Sequence, residues 1–387
     1  MHTPKKVLLV DSAFSAVPIY QALCKSGFDV WTIGNRESDA LALISAERWI
    51  KQDYSDVAQV QAIVEEQAFD YIVPGCTDLS IEVCQQLRGY RNFFDSEEVY
   101  ANLGNKKAFR NLCQQMGLYS PVEMKLADFP RAGCFIVKPV DSYSGQGISI
   151  VDGNNLQVLS TVVEQAEQVS RSGHYIIESY IEGQLYSFSA LLTSHKVVES
   201  FIVKEGSSTN PYAVDTSYID EGFPEEVKAY LTVAMAKLSA HLQLKDGLIH
   251  LQFILRDNCA YLIEITRRCP GDLYSLLIEY STGIPYSQLY AAYFTETKMD
   301  NLCSPRESNH IVRHTVSADK NLPFTGLELS HPISCKAIFP LSSLGEPLAI
   351  MQQKRVAIIF AEATDEQQKI ALYDNFIDRS RYQVTAK

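Results

Sequence analysis

Two changes of pattern along the 387-residue sequence predict an amino-terminal doubly wound α/β domain, then α+β lobes, then a small α+β carboxyl-terminal unit. The first hundred residues alternate single strands with helices. From Phe135 onward strands come in neighbouring pairs between long helices, which is an α+β order. After about Cys303 the spacing changes again, to short strand-like pieces closed by one helix. A chain of this length exceeds the size at which one hydrophobic core keeps growing, so several packed units are expected. The boundaries read as 1–100, 101–302 and 303–387.

In the first unit Lys6 to Val10 reads as a short buried strand, Ser15 to Lys25 as a helix stopped at Gly27, and Phe28 to Ile33 as the next strand. Val57 to Glu66 reads as a helix and Phe69 to Val73 as a strand. The segment Pro74-Gly75-Cys76-Thr77-Asp78 then forms the loop at that strand's carboxyl end, where open α/β sheets place ligands. Ser96 and Asn105 can each cap a following helix, and Gly117 closes the second. In the second unit Phe135 to Lys138 and Gly147 to Val151 flank a polar glycine turn, and a helix runs from about Asn155 to Ser172. Strands follow at Tyr175 to Glu178, Tyr186 to Leu192 and Val197 to Lys204, then a helix from Pro224 to Leu242. Gly247 to Leu255 and Cys259 to Ile265 form a hairpin across Arg256-Asp257-Asn258. The last unit offers strands at His310 to Val316, Ser334 to Phe339 and Arg355 to Ala361, and a helix from Asp365 to about Arg379.

Composition narrows the function. A net charge of −12 disfavours sequence-independent nucleic-acid binding, which needs clustered Lys and Arg against phosphates. The amino-terminal apolar run ends at Asp11, too short for a signal-peptide core or a membrane span, so a cytoplasmic protein without membrane partners is expected. Nine scattered cysteines without a C-x-x-C pair indicate neither a disulfide framework nor a zinc site.

Four segments carry candidate chemistry. Asn105-Lys106-Lys107 places cations at a helix amino end, a phosphate-binding position. Phe135-Ile136-Val137-Lys138-Pro139 ends a buried strand on a lysine. It is followed by Asp141-Ser142-Tyr143-Ser144-Gly145-Gln146-Gly147, whose small residues let backbone N–H groups approach phosphates. Ile176-Ile177-Glu178-Ser179-Tyr180-Ile181-Glu182-Gly183 ends a strand on an acidic turn. Finally His250-Leu251-Gln252-Phe253 and Leu262-Ile263-Glu264-Ile265-Thr266-Arg267-Arg268 lie on adjacent strands. Alternation there turns Gln252, Glu264 and Thr266 to one face as three oxygen ligands, the type Mg²⁺ prefers.

In this order and spacing the four segments resemble the ATP-grasp superfamily, most closely its carbamoyl-phosphate-synthase-like branch. The resemblance implies α+β ATP-grasp lobes over 101–302, ATP and Mg²⁺ as cofactors, and a role for each segment. Lys106 reaches the α- and β-phosphates, with Lys107 as the near alternative, and Lys138 contacts the α-phosphate and the adenine N7 edge. Ser142, Ser144, Gly145, Gln146 and Gly147 cover the β- and γ-phosphates. Glu178 helps hold adenine N6 while the backbone of Ser179, Tyr180 and Ile181 reads the base. Leu185 stands where many members carry a ribose-binding glutamate, so that contact falls to Glu182 or Gln184. Glu264 bridges the metals with Gln252 and Thr266, and Arg268 stabilises charge on the transferring phosphoryl group.

The implied activity is ligation of a small-molecule carboxylate, activated as an acyl phosphate, to an amine or ammonia; a homodimer is compatible with it. Asp78 at its strand end, Lys204, Asp215 and Thr216 around the long polar segment Glu205 to Ser217, and Arg267 are candidate substrate contacts. That segment reads as a lid. Cys76 is not assigned a nucleophilic role, and His250, on the face of Gln252, reads as a packed histidine. Because Gln252 is neutral, Gln252→Glu is expected to leave Mg²⁺ binding intact or tighter. Two other classes are weighed: a nucleotide-binding regulatory protein without turnover, and a nicotinamide-dependent oxidoreductase. The latter is disfavoured because Asp11-Ser12-Ala13-Phe14-Ser15 follows the first strand in place of G-x-G-x-x-G.

Overall fold

The computed structural model describes residues 3–141, 145–297, 308–318, 321, 323–348 and 355–386. The amino-terminal domain runs β1 (Lys6–Val10), α1 (Val17–Lys25), β2 (Asp29–Gly34), α2 (Ala40–Ser45), β3 (Trp49–Lys51), α3 (Val57–Gln67), β4 (Tyr71–Pro74) and α4 (Asp78–Gln86). Its sheet is parallel, in the order β3-β2-β1-β4. Val7 to Val10 are all fully buried, so this central strand is an unbroken apolar run covered on both faces rather than an alternating one. The strand ends therefore open at one edge, where the β1–α1 and β4–α4 loops meet.

Two short helices connect to the next lobe: α5 (Glu97–Gly104), capped by the Ser96 hydroxyl, and α6 (Lys106–Gln115), whose first free N–H groups donate to the Asn105 side chain at 3.0 and 3.1 Å. A small antiparallel sheet follows, built from β5 (Glu123–Met124), β6 (Cys134–Pro139), β7 (Ser149–Asp152) and β8 (Tyr175–Ser179) in the order β5-β8-β6-β7, with α7 (Leu156–Val169) packed on it.

The large lobe holds β9 (Gln184–Thr193), β10 (Lys196–Gly206), β11 (Thr216–Ile219), α8 (Glu225–Leu242), the hairpin β12 (Gly247–Arg256) and β13 (Cys259–Thr266), then α9 (Tyr274–Thr282) and α10 (Tyr286–Thr295). The carboxyl-terminal unit adds β14 (His310–Ser317), β15 (Phe324–Leu329), β16 (Cys335–Pro340), β17 (Arg355–Ala363), α11 (Glu366–Ile377) and β18 (Tyr382–Ala386). Its strands β14, β17 and β16 continue the large-lobe sheet, giving the order β13-β12-β9-β10-β11-β14-β17-β16, while β15 pairs with β18. One face of this sheet packs on α8, and the other on α9, α10 and the amino-terminal domain.

Several elements depart from the sequence reading, among them β3, β5, β15 and β18, which it does not include. The polar segment expected as a loop from Glu205 to Ser217 is shorter, because Glu205 and Gly206 end β10 while Thr216 and Ser217 begin β11, held between β10 and β14. Helices α9 and α10 carry no clear polar stripe; most of their side chains are buried, so the helical period is hidden in a nearly continuous apolar run. Among the described residues no helix is long and apolar enough to cross a membrane. The eight described cysteines are free thiols; Cys303 lies outside the described residues.

Candidate active site

Side chains from three elements meet beneath the turn between the small and large lobes. Glu178 on β8 is fully buried, and one of its carboxylate oxygens accepts from Arg110 Nε of α6. Its other oxygen lies 2.9 Å from Lys138 Nζ at the end of β6. The strands bring this about, since Glu178 pairs with Ile136 and Lys138 with Ile176. Burial pushes the Glu178 carboxyl up, but Lys138 and Arg110 outweigh it and hold it below the usual carboxylate range. Burial pulls Lys138 below an ordinary lysine despite its acidic partner. The carboxylate expected at adenine N6 is thus engaged by two cations, and its direct effect is to fix Lys138.

The hinge after Glu178 is partly committed as well. Ser179 N–H donates to the Val122 carbonyl and Tyr180 N–H to that of Cys134, so a base-reading edge is left with the carbonyls of this segment and the Ile181 amide. Glu182 is exposed, while the Gln184 amide donates to the Leu185 and Glu205 carbonyls. Gly183 allows the chain to cross β12: a Cβ there would lie 2.4 Å from the Leu255 carbonyl oxygen. Lys106 is the first residue of α6 and lines the cleft, whereas Lys107 turns outward to Glu123 at 3.0 Å. Gly145 and Gly147 both have left-handed φ, +70° and +72°, and a Cβ on Gly145 would meet Tyr212 Cβ at 2.6 Å. Gln146 is exposed beside them; Ser142 and Ser144 lie outside the described residues.

The hairpin carries the oxygen donors. Gln252 faces Glu264 and His250 faces Thr266 in the β12–β13 register, so all four share one face of the sheet. An amide, a carboxylate and a hydroxyl on adjacent strands form an all-oxygen set that fits Mg²⁺. Thr266 Oγ1 also accepts from the Arg268 N–H at 3.3 Å. His250 is buried, with Nδ1 3.3 Å from Ser189 Oγ and its ring edge-on to Tyr274; burial first and Arg268 second push its pKa down to about 3, so it packs as a neutral ring.

A cleft of about 1280 Å³ runs from these donors to the strand ends of the amino-terminal domain. Lys106, Asp78, Glu264, Thr266, Arg268 and Arg355 all line it. Arg268 Nε and Nη2 bind the two oxygens of Asp78 at 2.6 and 3.2 Å, a fork-on-carboxylate pair that joins α4 to the hairpin. Asp78 nevertheless keeps 55% of its side chain open to the cleft. Cys76 is buried beside Cys269, and that contact together with burial raises its thiol pKa, as expected of an inert thiol. A shallower hollow of about 440 Å³ around Asn92, His195 and Tyr293 contains none of the predicted site residues.

Three of the substrate candidates are held elsewhere, and Arg267, although it borders the cleft, has its guanidinium engaged within the protein. Lys204 pairs with Tyr218 on the sheet face opposite Glu205, and its ammonium lies over the Tyr218 and Tyr373 rings. Thr216 shares that opposite face, with Oγ1 2.8 Å from His314 Nδ1. Asp215 is buried and accepts from Ser208 N–H, Ser208 Oγ and Thr216 Oγ1, which folds the 207–215 loop on itself. Arg267 is buried and donates to Asp95 and to the Leu248 and Lys245 carbonyls. Only Asp78 of that group has its carboxylate at the cleft, with Arg268.

Residues 132–275 match the family described as the ATP-grasp domain, over the span that contains Lys138, the glycine turn, Glu178 and the oxygen-bearing hairpin. The chain carries an ATP-grasp domain. Solved structures show the same fold across the whole length. The L-amino acid ligase from Bacillus licheniformis superposes with a TM-score of 0.78 at 18% identity, with 100% of each chain covered. Phosphoribosylglycinamide synthetase from Anaerococcus prevotii gives 0.76 at 16%, again with 100% of each covered. The biotin carboxylase domain of the Hydrogenobacter thermophilus 2-oxoglutarate carboxylase, solved with MgADP, gives 0.76 at 14%, covering 100% of this chain and 92% of that one.

Within this ATP-grasp frame two residues escaped the sequence reading. Arg110 sits in mid-helix with no motif around it, and only the pattern of buried positions at Phe109, Leu112 and Cys113 hints that it faces inward. Glu205 was read as part of a loop, yet it is buried in β10 on the same face as Gln252 and Glu264, and accepts from Gln252 Nε2 at 2.8 Å.

Proposed function

We propose that the chain is an ATP- and Mg²⁺-dependent ligase that activates a small-molecule carboxylate as an acyl phosphate for capture by an amine or ammonia. One observation carries the reading: Lys106, Glu264, Thr266 and Arg268 line one continuous cleft in an ATP-grasp frame, with Gln252 opposite Glu264 in the sheet and Lys138 held on Glu178 close enough to feel the charge of Lys106. Lys106 at the start of α6 and Lys138, fixed by Glu178, hold phosphate oxygens. Gln252, Glu264 and Thr266 hold Mg²⁺, which when bound neutralises charge on the transferring phosphoryl group.

A carboxylate oxygen attacks the γ-phosphorus as the bond to the β-phosphate oxygen breaks and ADP leaves. Arg268, presented to the cleft by Asp78, meets the charge that develops on the phosphoryl oxygens. The amine nitrogen then attacks the acyl carbon, loses a proton and expels inorganic phosphate. Positioning and electrostatics supply nearly all of the acceleration in such transfers. The amino-terminal strand ends, with Asp78 at their edge, provide the wall against which the acid or the nucleophile lies, and the protein works in the cytoplasm, alone or as a homodimer.

A panel of amino acids and small acids, each with ammonia or an amine and MgATP, tests the reading through release of ADP and phosphate. Release that depends on both the acid and the nucleophile is expected. Nucleotide binding without release across the whole panel would favour the regulatory alternative.

A further inference from the structure

We infer that Glu205 is a positioning residue for the metal site: it fixes the Gln252 side-chain amide so that its oxygen, not its nitrogen, faces Glu264. The inference rests on the ligase reading, which makes Gln252 and Glu264 metal ligands, and adds to it a residue from a strand two places away in the sheet.

The geometry is specific. Gln252 on β12 lies opposite Glu264 on β13 on one side and opposite Ser187 on β9 on the other. Beyond β9, Glu205 projects from β10 on the same face, because it follows Val203, the partner of Ser187, by two residues. Gln252 Nε2 donates to Glu205 Oε2 at 2.8 Å. With its nitrogen donating to that carboxyl oxygen, the amide turns its NH₂ end toward β10 and its oxygen toward β13. Glu205 is itself held: it is 3% exposed, takes a hydrogen bond from Ser187, and lies near the buried Arg313. Arg313 is anchored through Nε to Ser217 Oγ at 2.9 Å, and Ser217 is the β11 partner of Glu205. A row of polar side chains thus crosses the sheet floor and ends on an amide oxygen beside a carboxylate.

This arrangement also accounts for a glutamine at a ligand position, and it reverses an expectation drawn from the sequence. In isolation Gln252→Glu adds charge toward the metal. Beside Glu205 it sets two buried carboxylates against each other, which is unfavourable. The acid of this pair stands on β10, and a second acid on β12 is tolerated only if the first is removed.

The test is a charge exchange, read as Mn²⁺ affinity by electron paramagnetic resonance in the presence of ADP, and as melting temperature without ligands. Glu205→Gln should weaken Mn²⁺ roughly 10- to 100-fold, the usual range for loss of a ligand's supporting partner. Gln252→Glu alone should also weaken it and lower the melting temperature. The double variant Glu205→Gln/Gln252→Glu should recover both, since an amide at 205 can donate to a carboxylate at 252. Wild-type Mn²⁺ affinity in Glu205→Gln, or a double variant whose losses are the sum of the single ones, would overturn the inference. A wild-type chain that binds no Mn²⁺ with ADP would instead remove the ligase reading and the inference with it.

Discussion

Two guanidinium–carboxylate contacts, one beneath the turn between the lobes and one at the cleft wall, differ in burial more than in chemistry. Arg110 and Glu178 meet where neither is more than 3% exposed, with Lys138 completing a three-group cluster from α6, β6 and β8. Arg268 and Asp78 meet at the cleft wall, where Asp78 remains more than half open. A buried cluster cannot exchange partners without stranding a charge, whereas a pair at a wet wall can give way to a ligand. On the proposed reading, the difference gives rigidity to the nucleotide-binding region and adaptability to the substrate-binding one.

The largest expected effect is on stability at the buried end. Glu178→Gln leaves Arg110 and Lys138 facing each other without a counter-charge and should destabilise the fold by about 3–5 kcal/mol in urea unfolding. A loss below about 1 kcal/mol would mean the cluster is no more fixed than the exposed pair. Next comes catalysis at the donor face: Glu264→Gln should lower turnover by about 10² to 10³ with little change in melting temperature, since Glu264 is exposed to the cleft. Near wild-type turnover would remove Glu264 from the metal site.

Binding should follow at about the same scale. MgADP at roughly a hundredfold excess over its dissociation constant should stabilise the wild type by about 2.7 kcal/mol, and an unchanged melting temperature with no heat of binding would exclude the nucleotide site.

Three of the first unit's four strands and most of the lobe strands are legible from the sequence because buried runs and alternation are strong local signals, and Ser96 and Asn105 mark their helices as caps; the three-residue β3 is too short to give such a signal. The described residues of the four motif segments lie on the helix start and the strands that the sequence reading gives them. What is not legible depends on pairing between distant residues. Lys204, Asp215 and Thr216 look like substrate contacts as members of a polar segment, but strand parity turns Lys204 and Thr216 to the far face and Asp215 caps its own loop. Arg267 resembles a second cleft arginine until Asp95, 172 positions away, claims it. The same parity hides Glu205, whose strand could not be distinguished from a loop end.

Smaller effects sharpen the contrast further. The Glu178 carboxyl is held below its ordinary value, so the cluster contributes stability that is present above the unfolded-state value near about 4.3 and is lost as pH falls through the lower folded value. The wild type should therefore lose stability below about pH 4.3 more steeply than Glu178→Gln, which lacks that acid limb. Parallel acid limbs would show that Glu178 is not the group responsible. Asp78→Asn should change stability by less than about 1 kcal/mol while changing the KM for the acid, because it alters only a cleft-wall pair. A stability loss matching that of Glu178→Gln would break the comparison.

The most direct test of the ligase reading follows the fate of one oxygen atom. With an acid that supports phosphate release, labelled with ¹⁸O in its carboxylate, capture of an acyl phosphate by the amine transfers one labelled oxygen to inorganic phosphate. The expected result is ¹⁸O in the released phosphate in an amount equal to the product formed, lost together with turnover in Glu264→Gln. Phosphate released without label, while product still forms, would contradict activation of the carboxylate at this cleft.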